Sequence, residues 1–354
     1  MTEHTSSSSE STQIVSFGGC RPAKTITCSI LVGGRPTGGT VRNPVTLLPL
    51  GALRHLLPDP STWDLFDLPP VDLPEGRWLD LPRRGRTWLT DVPGPTPDAP
   101  AIVLLHAVGC TGQLTWFPAI PVLAQHYRVI AFDQRWHGRG ITSERFLISD
   151  CADDVAAVID TLGLDRPIIA GYSMGSVIAQ RVWRQHPDAV GGLVLAATTA
   201  HFRTNGRERV FHTGMALGMG LTATLSRSRV VRRASTAAAE EIETGSSDTA
   251  GWALKQWRSS SPWAVGQAVA SLGRHHSTLW LERVDVPTAV VVTTNDHVIP
   301  PDRQRDLAAR IPGATIHEAA CGHAGCVLEH KEFVPALLDA ALTTSARMRK
   351  PQPA

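Results

Sequence analysis

The chain has almost no net charge, +2 across 354 residues, so nothing draws it electrostatically to nucleic acid and no nucleic-acid partner is expected. It has no long apolar run. The longest early stretch, VTLLPLGAL over 45–53, is interrupted by Pro49 and is too short to span a bilayer, so no membrane span is expected. The opening residues, MTEHTSSSSESTQ, show neither a basic start nor an apolar stretch, so no secretory signal is expected either. Cysteines are few and scattered, at 20, 28, 110, 151, 321 and 326, which does not suit a disulfide framework. No internal repeat is visible. With 42% apolar and 19% charged residues, the expectation is a soluble, globular, cytoplasmic protein.

Hydrophobic patterning divides the chain. Residues 1–40 are rich in Ser, Thr and Gly and read as disordered. Residues 41–76 are a Pro/Leu-rich extension. From 77, RWLDLP and RTWLTDV flank Arg83-Arg84-Gly85 as a hairpin. Short apolar runs then alternate with helical patterns. Strands are expected at 101–106, 128–133, 167–172, 191–197, 288–294 and 314–319. Helices are expected near 114–125, after a cap at Ser149 or Asp150, from Met174 to about His186, over 302–311 and over 328–342. Nearly continuous apolar strands separated by helices imply an α/β fold, with a mostly parallel sheet covered on both faces. The core is read as 77–199 and 285–345. A tryptophan-bearing helical insertion at 200–284 forms a cap, and 346–354 is a disordered tail.

Gly171-Tyr172-Ser173-Met174-Gly175 follows the apolar run PIIA and opens a helix. Glycines on either side of a serine suit a sharp strand-to-helix turn that lifts the hydroxyl to the sheet edge. Such a serine needs a base, and the base needs an acid to orient it. Asp296 follows one later strand and His323 the next, in the order this arrangement requires. Backbone N–H groups that would stabilise an oxyanion are expected after the nucleophile, at Met174, and in the loop after the 101–106 strand.

These motifs together make the chain resemble the α/β-hydrolase superfamily over about 77–345. They are HAVGCTG at 106, FDQRWHGRG at 132, GYSMG at 171, TTNDHVIP at 293 and CGHAG at 321. The resemblance implies Ser173 as nucleophile, Asp296 as orienting acid and His323 as general base. It implies Val108 as the second oxyanion donor, in a loop where Ala107 replaces a usual glycine. It implies a structural role for Asp133, Arg135 and His137, with Trp136 in place of a glycine, and it puts Trp116 and Val298 on the substrate pocket. Cys321 and Cys326 bracket His323, but a zinc ion there would need a fourth ligand and would disable the base, so no metal is expected. The chemistry calls for no cofactor. The expected function is a serine esterase acting on a small or medium apolar ester. The alternatives are other reactions of the same triad (carbon–carbon bond hydrolysis, lactonase, thioesterase, perhydrolase) and a slow-turnover ligand sensor or partner-binding protein.

Overall fold

The computed structural model describes residues 68–203 and 249–348, with 206, 209–210 and 213–214 between them. The expected disordered segment 1–40 and most of the 41–76 extension lie outside the described residues.

Eight strands form one sheet: β1 (Arg77–Leu81), β2 (Gly85–Val92), β3 (Ala101–Leu105), β4 (Arg128–Phe132), β5 (Ile168–Tyr172), β6 (Gly192–Ala196), β7 (Thr288–Thr293) and β8 (Thr315–Ala319). Their order is β1-β2-β4-β3-β5-β6-β7-β8. β2 is antiparallel to both β1 and β4, and the rest of the sheet is parallel. The helices are α1 (Gly112–Trp116), α2 (Ile120–Leu123), α3 (Ile148–Thr161), α4 (Met174–Gln185), α5 (Thr249–Arg258), α6 (Pro262–Leu272), α7 (Pro301–Ala309), α8 (Gly325–Leu328) and α9 (His330–Met348).

The central strands are apolar throughout because both sheet faces are covered. Successive side chains of a strand point to opposite faces. Along β3, Val103 and Leu105 therefore join one core, with Val155 and Val158 of α3, Val177 and Ile178 of α4 and Ala264 and Ala268 of α6. Ile102 and Leu104 join the other, with Trp116, with Ile120 and Leu123 of α2, and with Phe333 and Leu337 of α9. Part of the extension is laid on the body, where Leu68, Val71 and Leu73 pack around Leu114, Phe117 and Trp252.

Three expectations change. The helix expected over 114–125 is two short helices, because Pro118 lacks an N–H and its ring blocks continuation. Neither Ser149 nor Asp150 caps α3. The helix already begins at Ile148, and its cap position, Leu147, makes no side-chain hydrogen bond. α9 runs to Met348, past the boundary expected at 345. Among the described residues, no helix is long and apolar enough to cross a membrane.

Candidate active site

The site is built where β5, β7 and β8 end. At the end of β5 the chain turns straight into α4. A Cβ on Gly171 would lie 2.3 Å from the Gly175 carbonyl carbon, and one on Gly175 would lie 1.9 Å from the Leu105 carbonyl oxygen. Both positions therefore admit only glycine. Ser173 sits between them at φ 51° and ψ −110°, a conformation disfavoured for a residue with a Cβ. Surrounding hydrogen bonds hold it there. Ser173 N–H donates to Ala196 O at 2.9 Å, and Ser176 Oγ accepts from Ala196 N–H at 2.9 Å.

His323 enters from the loop after β8 and Asp296 from the turn after β7. The structure brings them together with Ser173. Ser173 Oγ lies 3.0 Å from His323 Nε2, and His323 Nδ1 lies 2.7 Å from Asp296 Oδ2. An ionised carboxylate only accepts hydrogen bonds, so the imidazole proton belongs on Nδ1 and the Nε2 lone pair faces the serine hydroxyl. Ser173 is 7% exposed and Asp296 2%, so both sit in a site largely cleared of water. Asp296 Oδ1 accepts from the N–H groups of Val298 at 2.8 Å and Ile299 at 2.9 Å, and its Oδ2 accepts from the Thr293 hydroxyl at 2.9 Å.

Met174 N–H opens α4 and has no carbonyl four residues back to bond. Val108 lies in the loop between β3 and α1, and its N–H makes no hydrogen bond to the described residues. Neither N–H is therefore committed to a hydrogen bond with the described residues. The alanine at 107 is not strained. Among these loop residues the positive φ falls on Gly109, at 76°, and Ala107 keeps an ordinary φ. α6 lies over this loop, with Val265 Cγ2 3.5 Å from where a Gly109 Cβ would be.

Val298 is half-buried beside Asp296. Trp116 belongs to the interior. It is fully buried in the second core, with ring centroids 6.3 Å from Tyr172 and 6.4 Å from Phe333, so its surface is committed to packing. Tyr172 is a residue that sequence reasoning missed. Its hydroxyl donates to the His323 carbonyl at 3.0 Å and ties down the loop that carries the imidazole. Burial pushes this phenol well above its usual range, which keeps it a donor. Its place directly before the serine was the available signal.

The Asp133 turn is structural. Asp133 accepts from the N–H groups of Gly112 at 2.9 Å and Arg139 at 2.8 Å. Arg135 makes a two-pronged pair with buried Asp154 at 2.8 and 2.9 Å. His137 is fully buried, and His106 accepts from Gln134 N–H at 2.8 Å. Trp136 has φ 64°, which is costly for a bulky residue. Its ring meets Trp263 of α6 edge-on, with centroids 4.6 Å apart.

Cys321 and Cys326 are both buried, and burial pushes Cys321 up to about 12. Burial likewise raises Cys110, beside the loop of Val108, to about 11. Thiols held this far up carry almost no thiolate near neutral pH. Among the described residues, no three His, Cys, Asp or Glu side chains gather as metal ligands would.

The family model described as "alpha/beta hydrolase fold" matches residues 100–329. A sequence relative from Escherichia coli (strain UMN026), named "Putative carbamate hydrolase RutD", is 24% identical over 254 residues, which is 70% of this chain and 88% of the relative. Among solved structures, the enol-lactonase of Burkholderia xenovorans LB400 superposes with TM-score 0.59 at 20% identity, over 75% of this chain and all of that one (100%). An esterase from Exiguobacterium antarcticum superposes with TM-score 0.60 at 18% identity, over 76% of this chain and 100% of its own. With its sheet order, its glycine-flanked serine turn and this match over residues 100–329, the chain belongs to the α/β-hydrolase family.

Proposed function

We propose that this protein is a serine hydrolase that cleaves small or medium apolar carboxylic esters through an acyl-enzyme intermediate. One observation carries the reading: Ser173 Oγ, His323 and Asp296 stand in a continuous line of 3.0 and 2.7 Å contacts. His323 Nε2 takes the serine proton as Oγ attacks the ester carbonyl. Asp296 keeps the imidazole in the required tautomer and stabilises the imidazolium as it forms. The carbonyl oxygen becomes an oxyanion between the N–H groups of Val108 and Met174. Each such donor is worth roughly 10²–10³ in rate. His323 then returns the proton to the departing alkoxide, and the same sequence run with water releases the acid.

The apolar preference rests on α6. Its sequence, PWAVGQAVASL, contains no charged residue, and Val265 approaches the loop that holds Val108. In this reading α5 and α6 belong to a cap spanning 200–284, and Val298 lines the substrate pocket.

A second carbonyl class comes from the relatives. The carbamate hydrolase named above suggests carbamates, whose carbonyl the same triad can attack. The test is hydrolysis of p-nitrophenyl esters of increasing acyl length, beside an alkyl carbamate and a lactone, by wild type and Ser173→Ala. Ester turnover that vanishes in the variant is expected, and the preferred chain length sizes the pocket. Turnover of the carbamate or lactone alone would reassign the substrate. Tight ligand binding by folded protein with almost no turnover would indicate a sensor.

A further inference from the structure

Behind Asp296 runs a buried polar chain that the hydrolytic scheme does not use. Gln304, on α7, is fully buried. Its Oε1 accepts from Thr293 N–H at 3.0 Å, and its Nε2 donates to Ile299 O at 2.7 Å. A backbone donor on one side and a backbone carbonyl on the other leave the amide a single orientation. The same Nε2 donates to Thr293 Oγ1 at 2.8 Å. That bond occupies the acceptor side of the hydroxyl, so its proton points at Asp296 Oδ2, 2.9 Å away. Every donor direction is then set, from Gln304 to Thr293 to Asp296, and His323 Nδ1 meets the same carboxylate oxygen from the other side.

The two carboxylate oxygens are held differently. Oδ1 is pinned by two backbone N–H groups. Apart from the imidazole, Oδ2 has the Thr293 hydroxyl and only a long 3.4 Å approach of Gln304 Nε2. We propose that Thr293 and Gln304 are positioning residues. They fix the rotation of the Asp296 carboxylate and thereby keep the His323 ring aligned on Ser173. The proposal rests on the serine-hydrolase reading above. Thr293 and Gln304 belong to different elements, so the alignment of the triad depends on how α7 docks against the end of β7.

The test uses the full chain and three variants: Thr293→Val, which removes the hydroxyl at nearly constant shape, Thr293→Ser, which restores it, and Gln304→Met. Three readouts are taken: the rate of Ser173 modification by a fluorophosphonate, kcat and KM on a p-nitrophenyl ester, and the low-field proton NMR signal of His323 Nδ1–H. That signal is identified by its loss in His323→Gln. Small misplacement of a reacting group costs up to about a hundred-fold, so T293V is expected to slow fluorophosphonate modification and kcat about ten-fold. KM should stay nearly constant, the NMR signal should move, and T293S should recover all three. Folded T293V with wild-type rates and an unmoved signal overturns the proposal. If wild type neither takes the fluorophosphonate nor cleaves any ester, the hydrolase reading fails and the NMR signal alone decides. A signal unmoved in T293V overturns the positioning role, and one that moves and returns in T293S supports it. If T293V does not fold, Gln304→Met carries the same comparison, with a smaller loss in rate expected and wild-type rates overturning the role.

Discussion

Acid is expected to weaken this protein through His137, by an amount that follows from its surroundings. The ring is fully buried in the Asp133 turn. Its Nδ1 donates to Arg135 O at 2.9 Å, while Nε2 is buried with no hydrogen-bond partner among the described residues. Charging the ring would place a second donor in the core with nothing to receive it. Burial accordingly holds this imidazole down at about 4, against 6.5 for an ordinary histidine. Between those values the unfolded chain binds a proton that the folded chain refuses. Stability therefore falls as pH drops from about 6.5 to about 4, then levels off for this group, and the gap is worth about 3 kcal/mol. Other buried groups act in the same range. His106, with its ring centroid 5.1 Å from that of His137, is lowered by its own burial and adds a loss of the same sign. Asp133 is raised by burial and acts oppositely, gaining stability as pH falls through its window. Burial also lowers His275, to about 3, and His201, each adding a loss of the same sign, so a wild-type curve alone mixes all of these. Urea unfolding from pH 8 to pH 4 of wild type beside His137→Asn separates them, since asparagine keeps a donor toward Arg135 O and cannot titrate. Wild type should lose about 3 kcal/mol more than the variant across that range. Parallel curves would refute the reasoning.

Two further outcomes are expected. Gly175→Ala should fail to fold or lose more than about 3 kcal/mol, because the new methyl would sit 1.9 Å from a backbone oxygen that has no room to retreat. A variant with a wild-type melting temperature would contradict this. Tyr172→Phe should cost about 1 kcal/mol of stability for the lost buried hydrogen bond. It should also lower kcat with little change in KM, because the His323 loop loses its tether. Equal and proportional changes in kcat and KM would argue against that role.

The sheet was legible because burial on both faces leaves little choice of residue. AIVLL, RVIAF and TAVVVT are apolar at nearly every position, so the strands stand out. Ser173, Asp296 and His323 were legible for a related reason. Each follows the end of a strand, and strands ending at one sheet edge bring distant residues together. The apolar spacing over 114–125 suits one helix, but Pro118 within it has no N–H and divides it in two. Trp116 was placed on the pocket by resemblance, whereas large buried rings are equally suited to the core. Thr293 and Gln304 left no linear signal. Their link is a side-chain geometry between the end of one strand and the next helix, and nothing in TTNDHVIP reveals which way the threonine hydroxyl points.

The Trp136–Trp263 contact makes the catalytic sheet and α6 energetically interdependent. Trp136 holds a backbone conformation that costs about 1–3 kcal/mol for a residue with a side chain. The favourable contact of its ring with Trp263 helps offset that cost. If α6 detached, the turn would keep its penalty and lose that contact. Excising 249–272 would therefore weaken the Trp136 turn, even though Ser173, Asp296 and His323 all lie outside the excised stretch. Sheet and α6 should melt in one cooperative transition.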